Sequence, residues 1–335
     1  MVNTINILGF PHAYELSSPP DASPVLVFLH GWLLSRAYWQ PVIQQLSADY
    51  PCLSYDMRGF GESQIAVDRA AFNSASAPIA SASVELAAER TAEKALETIS
   101  VGVSTARTAS SSGLTSLASA PALKPGHTPA AYAQDLALLL KELNITKAWL
   151  IGHSLGGSVA IWAADQLPET IAGVICVNAG GGIYLKEEFE KFRVAGQQLI
   201  NLRRRWLAYI PGLAALLTRM NVAQPIEYRW GRQRLLDLLS AQPEAAIGTL
   251  LDSTTEAEVN CLPQVVSRLR QPAYFIAGAK DTIMEPQYVR HLASFHPSFA
   301  ACGDNLIEIP NCGHLAMVEQ PEAVVHEIRQ ILGKA

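Results

Sequence analysis

Ala148-Trp-Leu-Ile-Gly152-His-Ser-Leu-Gly-Gly157 is the stretch that decides the fold. Its first four residues are apolar and read as a short buried strand. Helical spacing begins at about Leu155 and runs to about Gln166. Between them stands G-x-S-x-G, whose strand-turn-helix context aims a serine hydroxyl outward from a sharp, strained turn. Small residues at 152 and 156 let the backbone bend and the helix pack closely. Ser154 is the expected nucleophile, and it should project above the carboxyl ends of parallel strands.

A serine hydroxyl needs a base, and the base needs an orienting acid. On a fold with this strand-turn-helix serine the expected chain order is Ser, acid, His. His12, His30, His127 and His153 precede Ser154 and do not fit that order. His291, His296 and His326 fall in helical or helix-end segments. His314, in the loop Asn311-Cys-Gly-His314 after the last strand, is the expected base. Asp281, in Gly278-Ala-Lys-Asp281 after the strand at 274–277, is the expected acid. Asp304 sits at the wrong end of its strand, and Asn178 carries no charge. An oxyanion needs two fixed N–H donors. Leu155 supplies one. Trp32, in His30-Gly-Trp-Leu33 after the strand Val25–Leu29, supplies the other, with Leu33 as its rival. His30 reads as a residue that organises this loop.

Working outward, short apolar runs alternate with helical patterns, the signature of a parallel sheet covered on both faces. Further strands are expected at 25–29, 52–55, 173–177, 274–277 and 305–309. Helices are expected at about 132–143 and 321–332.

Together these motifs make the chain resemble the α/β-hydrolase superfamily, in the branch of serine carboxylesterases and lipases. They read His30-Gly-Trp32, Asp56-Met-Arg-Gly-Phe-Gly-Glu-Ser63, GHSLGG at 152–157, GAKD at 278–281 and CGH at 312–314. The resemblance covers about 9–64 and 125–335. It implies a doubly wound, mostly parallel sheet, acyl transfer on a small or lipophilic ester, and no cofactor or metal. It makes Asp56–Ser63 mainly a structural turn. His153 before the serine and Leu315 after the base depart from the carbon–carbon hydrolase pattern. HGWLL departs from the proline iminopeptidase pattern, and a serine nucleophile departs from the dehalogenases. Thioesterase, lactonase, carbon–carbon hydrolase and perhydrolase chemistry stay open, as does a small-ligand receptor of the same fold.

The core is expected to comprise 1–64, 125–182 and 271–335. Two segments interrupt it. Residues 65–124 are rich in Ala and Ser and read as a flexible insertion. Residues 183–270 read as a helical cap. There, Leu199-Ile-Asn-Leu-Arg-Arg-Arg-Trp206 runs into an apolar stretch that either packs the cap on the core, lines a lipophilic pocket or touches lipid.

The 335 residues carry 25 Lys+Arg against 30 Asp+Glu, a net charge of -5 that disfavours nucleic acid as partner. Charged residues reach only 16%, to which the Ala/Ser-rich runs within 65–124 contribute. Five scattered Cys form no C-x-x-C pair and suit a reducing compartment. The first sixteen residues lack a basic region followed by a long apolar run, so a cytoplasmic location is expected. No stretch has the apolar length of a membrane span.

Overall fold

The computed structural model describes residues 1–18, 24–64, 126–181, 186–219, 221–301 and 305–334. The Ala/Ser-rich stretch expected at 65–124 lies outside them.

Among the described residues, eight strands form one sheet in the order β1-β2-β4-β3-β5-β6-β7-β8. β1 (Asn3–Ile7) and β2 (Phe10–Leu16) are antiparallel, and β2 joins β4 (Cys52–Tyr55) antiparallel. From β4 onward all pairing is parallel, through β3 (Val25–Leu29), β5 (Ala148–His153), β6 (Ile171–Val177), β7 (Ala273–Gly278) and β8 (Leu306–Ile309). All five residues of β3 are buried, and none is polar. A central strand covered on both faces needs such a run, and each of its large side chains gains roughly 1.5–3 kcal/mol on burial.

Both faces carry helices. α1 (Gln40–Leu46) follows a 3-10 turn at Arg36–Trp39. α2 (Pro129–Glu142) begins where Thr128 accepts a hydrogen bond from the Ala131 N–H, with Pro129 in the first turn. α2 packs on α3 (Leu155–Gln166), and their apolar faces close one layer of the core. α11 (Pro321–Lys334), which follows the one-turn α10 (Ala316–Glu319), packs with α1 on the other face.

Between β6 and β7 the described chain is helical. It comprises α4 (Lys186–Leu202), a 3-10 turn at Arg205–Tyr209, α5 (Leu213–Arg219), α6 (Tyr228–Ser240), α7 (Pro243–Ser253) and α8 (Glu256–Arg268). α9 (Pro286–Ala293) lies against β7. The apolar stretch at 206–217 is split between the 3-10 turn and α5, with exposed Gly212 at φ +78 between them. No helix among the described residues is long and apolar enough to cross a membrane.

Asp56–Ser63 forms a buried turn at the end of β4. Asp56 accepts from the Arg36 and Glu62 backbone N–H groups, both at 2.7 Å, and is ion-paired with the Arg36 guanidinium. Arg58 donates to Asp135 on α2 at 2.8 Å. These contacts suit the structural role expected of the turn.

Candidate active site

Ser154 sits between β5 and α3 with φ 52 and ψ -119, a conformation that costs a non-glycine residue about 1–3 kcal/mol. The turn fits because of its glycines. A Cβ on Gly152 would run into the Gly156 carbonyl, and one on Gly156 would lie 2.5 Å from the Leu29 oxygen. Two backbone bonds fasten it, Ser154 N–H to the Val177 oxygen at 3.0 Å and Gly157 N–H to the Ser154 oxygen at 2.9 Å. Leu155 opens α3, where the first N–H groups have no intrahelical acceptor and the helix end is electropositive.

The loop after β3 reaches the same place. A Cβ on Gly31 would lie 3.2 Å from the Ser154 Cβ and 2.7 Å from His153 Nδ1. His30 orients this loop. Its Nε2 accepts the Met57 N–H at 2.9 Å, which leaves the proton on Nδ1, and Nδ1–H donates to the Gly31 oxygen at 2.8 Å. That carbonyl and the Trp32 N–H belong to one peptide plane, so fixing one fixes the other. The Trp32 indole donates to the Ala246 oxygen of α7 at 2.9 Å, tying the loop to the helices above. Leu33 takes φ 55 and is buried.

At the far end of the sheet, β7 and β8 bring the expected acid and base together. His314 Nδ1–H donates to Asp281 Oδ2 at 2.7 Å. Asp281 is otherwise saturated. Oδ1 accepts the N–H groups of Ile283 at 2.8 Å and Met284 at 2.9 Å, and Oδ2 also accepts Asn178 Nδ2 at 2.7 Å. Burial alone would raise this carboxyl. The facing His314 and the hydrogen bonds outweigh it and hold the group below its ordinary value.

His153 links the two halves. Burial, followed by the charge of His314, drives its pKa well below the ordinary value, so the ring is neutral. Its Nε2–H donates to the His314 oxygen at 2.7 Å, and the two rings stand 4.7 Å apart. The His314 N–H donates in turn to the Asn221 oxygen at 2.8 Å. The backbone of His314 is thus held from both sides.

Ser154, Leu155 and Trp32 line one cavity of about 90 Å³. Its other walls are Ser158, Gly181, Phe192, Leu250, Ser253, Thr254, Ile283 and Met284. No charged side chain is among these described walls.

The five residues expected from sequence therefore fall into two groups, Ser154, Leu155 and Trp32 around the cavity and Asp281 with His314 in a hydrogen-bonded pair. Sequence reasoning passed over Asn178 because it is not an anion. It instead supports one, donating to Asp281 and also to the Gly313 oxygen at 3.1 Å. A polar residue at the carboxyl end of β6, one strand from the serine, was the available signal. Sequence also missed Glu319, whose carboxylate accepts the backbone N–H of Gly313 beside the expected base at 3.0 Å, and the cavity walls from α4 and α7, which carry no motif.

A profile of the alpha/beta hydrolase fold family matches residues 24–321, and the chain belongs to that family. Among curated proteins it is similar to a 2-succinyl-6-hydroxy-2,4-cyclohexadiene-1-carboxylate synthase of Enterobacter sp. (strain 638), 28% identical over 320 residues and covering 92% of each chain. Among solved structures, an esterase of Thermogutta terrifontis superposes with a TM-score of 0.64 at 22% identity, over 99% of this chain and 97% of that one. An esterase of Rhodococcus sp. ECU1013 superposes with a TM-score of 0.65 at 19% identity, over 99% and 98%. At these identities the structural likeness speaks for the fold.

Proposed function

We propose that the protein is a serine hydrolase that cleaves an uncharged carboxylic ester with a small acyl group. The observation that carries this reading is the His314–Asp281 hydrogen bond at 2.7 Å, beyond the carboxyl ends of the parallel strands, where the strained Ser154 turn also stands. Ser154 attacks the ester carbonyl while His314 takes its proton. Asp281 holds the imidazole with Nδ1 protonated and stabilises the imidazolium. The N–H groups of Trp32 and Leu155 receive the oxyanion. His314 then protonates the leaving alcohol and activates water to release the acid. The helices between β6 and β7 serve as the cap that closes the acyl cavity, through Phe192, Leu250, Ser253 and Thr254.

The substrate class follows from the walls. They offer apolar surface and the hydroxyls of Ser158 and Ser253, and no cation to hold a carboxylate. A fluorophosphonate probe tests the nucleophile: it labels the wild-type protein and not Ser154→Ala. A series of p-nitrophenyl esters tests the class, with short acyl chains turned over fastest. Labelling that persists in Ser154→Ala would sink the assignment.

One observation favours a second reading, an anionic substrate like the carboxylate named for the Enterobacter relative. Arg234 on α6 forms no ion pair among the described residues, although the Asp237 carboxyl lies within electrostatic reach of it, and its charge also acts on Tyr38 and His153. If it receives a substrate carboxylate, Arg234→Leu raises KM for anionic esters and leaves neutral ones untouched.

A further inference from the structure

From Lys191 to Ile226 the chain carries six basic residues, Lys191, Arg193, Arg203, Arg204, Arg205 and Arg219, and no Asp or Glu. This is a cationic island in a protein of net charge -5. Exposed apolar surface gathers in the same place. Of the ten large hydrophobic side chains exposed among the described residues, five lie within Val194–Tyr209. Leu202 is 64% exposed, Trp206 58% and Tyr209 52%.

This surface is anchored from beneath. Ile200 is buried, and a Cβ on Gly196 would meet Leu250 at 2.7 Å, so one side of α4 is pressed onto α7. Arg203 spends its guanidinium on the Leu238 and Ala241 oxygens, at 3.2 and 2.7 Å. Arg193 donates to the Thr254 oxygen at 2.8 Å. Arg204 is exposed and, among the described residues, donates only to the nearby Asn201 and Arg203 oxygens. The result is a fixed platform of aliphatic and aromatic side chains with an outward cation.

We propose that this face, the C-terminal half of α4 and the Arg205–Tyr209 turn, docks the protein on an anionic phospholipid surface. Apolar side chains enter the interfacial zone, Trp206 and Tyr209 take the headgroup level where amphipathic rings settle, and the outward Arg204 meets lipid phosphates. The segment is too short and too charged to span a bilayer, so it lies on the surface. A second copy of the chain is a poorer occupant, because a two-fold contact would set this cationic island against itself. α4 also carries Phe192 into the Ser154 cavity, so docking face and cavity share one helix.

The test is co-sedimentation of the full chain with vesicles of phosphatidylcholine alone or mixed with phosphatidylglycerol, at low and high salt. Binding should require phosphatidylglycerol and fall as salt rises. Arg204→Gln should weaken it about fivefold, and the double change Leu202→Ser with Trp206→Ser should abolish it. Thermal melts of the variants that match wild type show that the fold is intact. Equal binding to both vesicle types, no binding at low salt, or variants that bind like wild type would each overturn the proposal. So would sedimentation velocity showing a dimer that the double change dissolves, or an acidic protein that saturates the face while vesicles do not.

Discussion

Glu319 Oε2 accepts the backbone N–H of Gly313 at 3.0 Å, one residue before His314. Its other oxygen accepts the N–H groups of Ala223 at 2.9 Å and Gln224 at 2.8 Å. One carboxylate thus fastens the loop of the proposed base to the segment between α5 and α6. Glu319→Ala strips three backbone donors of their acceptor. Bonds to a charged acceptor contribute about 1.5–3 kcal/mol each at most, and partial exposure lowers that here. The expected result is a modest drop in melting temperature with a larger fall in kcat than any change in KM. Glu319→Gln keeps an acceptor for one side only and should fall between. A kcat equal to wild type in Glu319→Ala would show that the loop holds its shape without the clamp.

Ser154 carries backbone strain that glycine would not. Ser154→Gly should abolish turnover while raising unfolding stability by about 1 kcal/mol, since glycine tolerates positive φ but gains unfolded-state entropy. Denaturant unfolding checks it. A less stable variant would mean that the turn is relaxed by its own hydrogen bonds.

Asp281 has its pKa lowered in the folded protein. Such a group adds stability above its unfolded value, about 3.9, and that contribution is lost as pH falls through the folded value. Asp281→Asn should therefore be less stable than wild type near neutrality, and the gap should close below about pH 4. Turnover of a neutral ester should drop about 10⁴-fold, as expected when an imidazole loses its orienting anion. A stability gap that persists unchanged in acid would contradict the linkage.

Asn178→Asp places a second carboxyl within reach of Asp281 and Gly313, where Asn178 now donates. Like charges so close resist joint ionisation. The variant should lose activity near neutrality and behave differently from Asn178→Ala, which removes the donor alone. Identical pH–rate profiles for the two would refute the electrostatic account.

Leu250 is 2% exposed and forms part of the cavity wall. Leu250→Ala should cost about 2–5 kcal/mol and move the preferred acyl chain longer. An unchanged chain-length optimum would place the acyl group elsewhere.

Much of this was legible in the sequence, for identifiable reasons. β3 is a continuous buried apolar run, and β5 and β7 hold such runs at 148–151 and 275–277, each too short for a helix and bounded by turn residues. The serine turn is written in glycines whose absent side chains can be checked against the backbone they would strike. β1 and β2 were not read as strands, because Asn3–Ile7 buries only Ile7 fully and Phe10–Leu16 only His12 and Ala13, with polar residues between the apolar ones at the sheet's edge. Thr128 and Pro129 start α2 three residues earlier than its apolar stripe suggested, since a cap is a local bond and a stripe a tertiary one. Glu319, Asn178 and the walls from α4 and α7 were hidden because their partners, whether backbone atoms, the Asp281 carboxylate or the cavity, are brought mainly by segments far away in the chain. No spacing rule encodes a carboxylate that clasps residues 223, 224 and 313.

Among the described residues, β8 stands at the rim of the sheet and is paired only with β7. It is the strand that delivers His314. Rim strands open before interior ones, so the part of the machine that breathes first is the part the proposed chemistry needs most. Activity would then fade on warming before circular dichroism registers any loss of helix or sheet, and would return on cooling without the molecule ever having come apart. The enzyme would report its own loosening as a reversible dimmer long before it reaches its melting point.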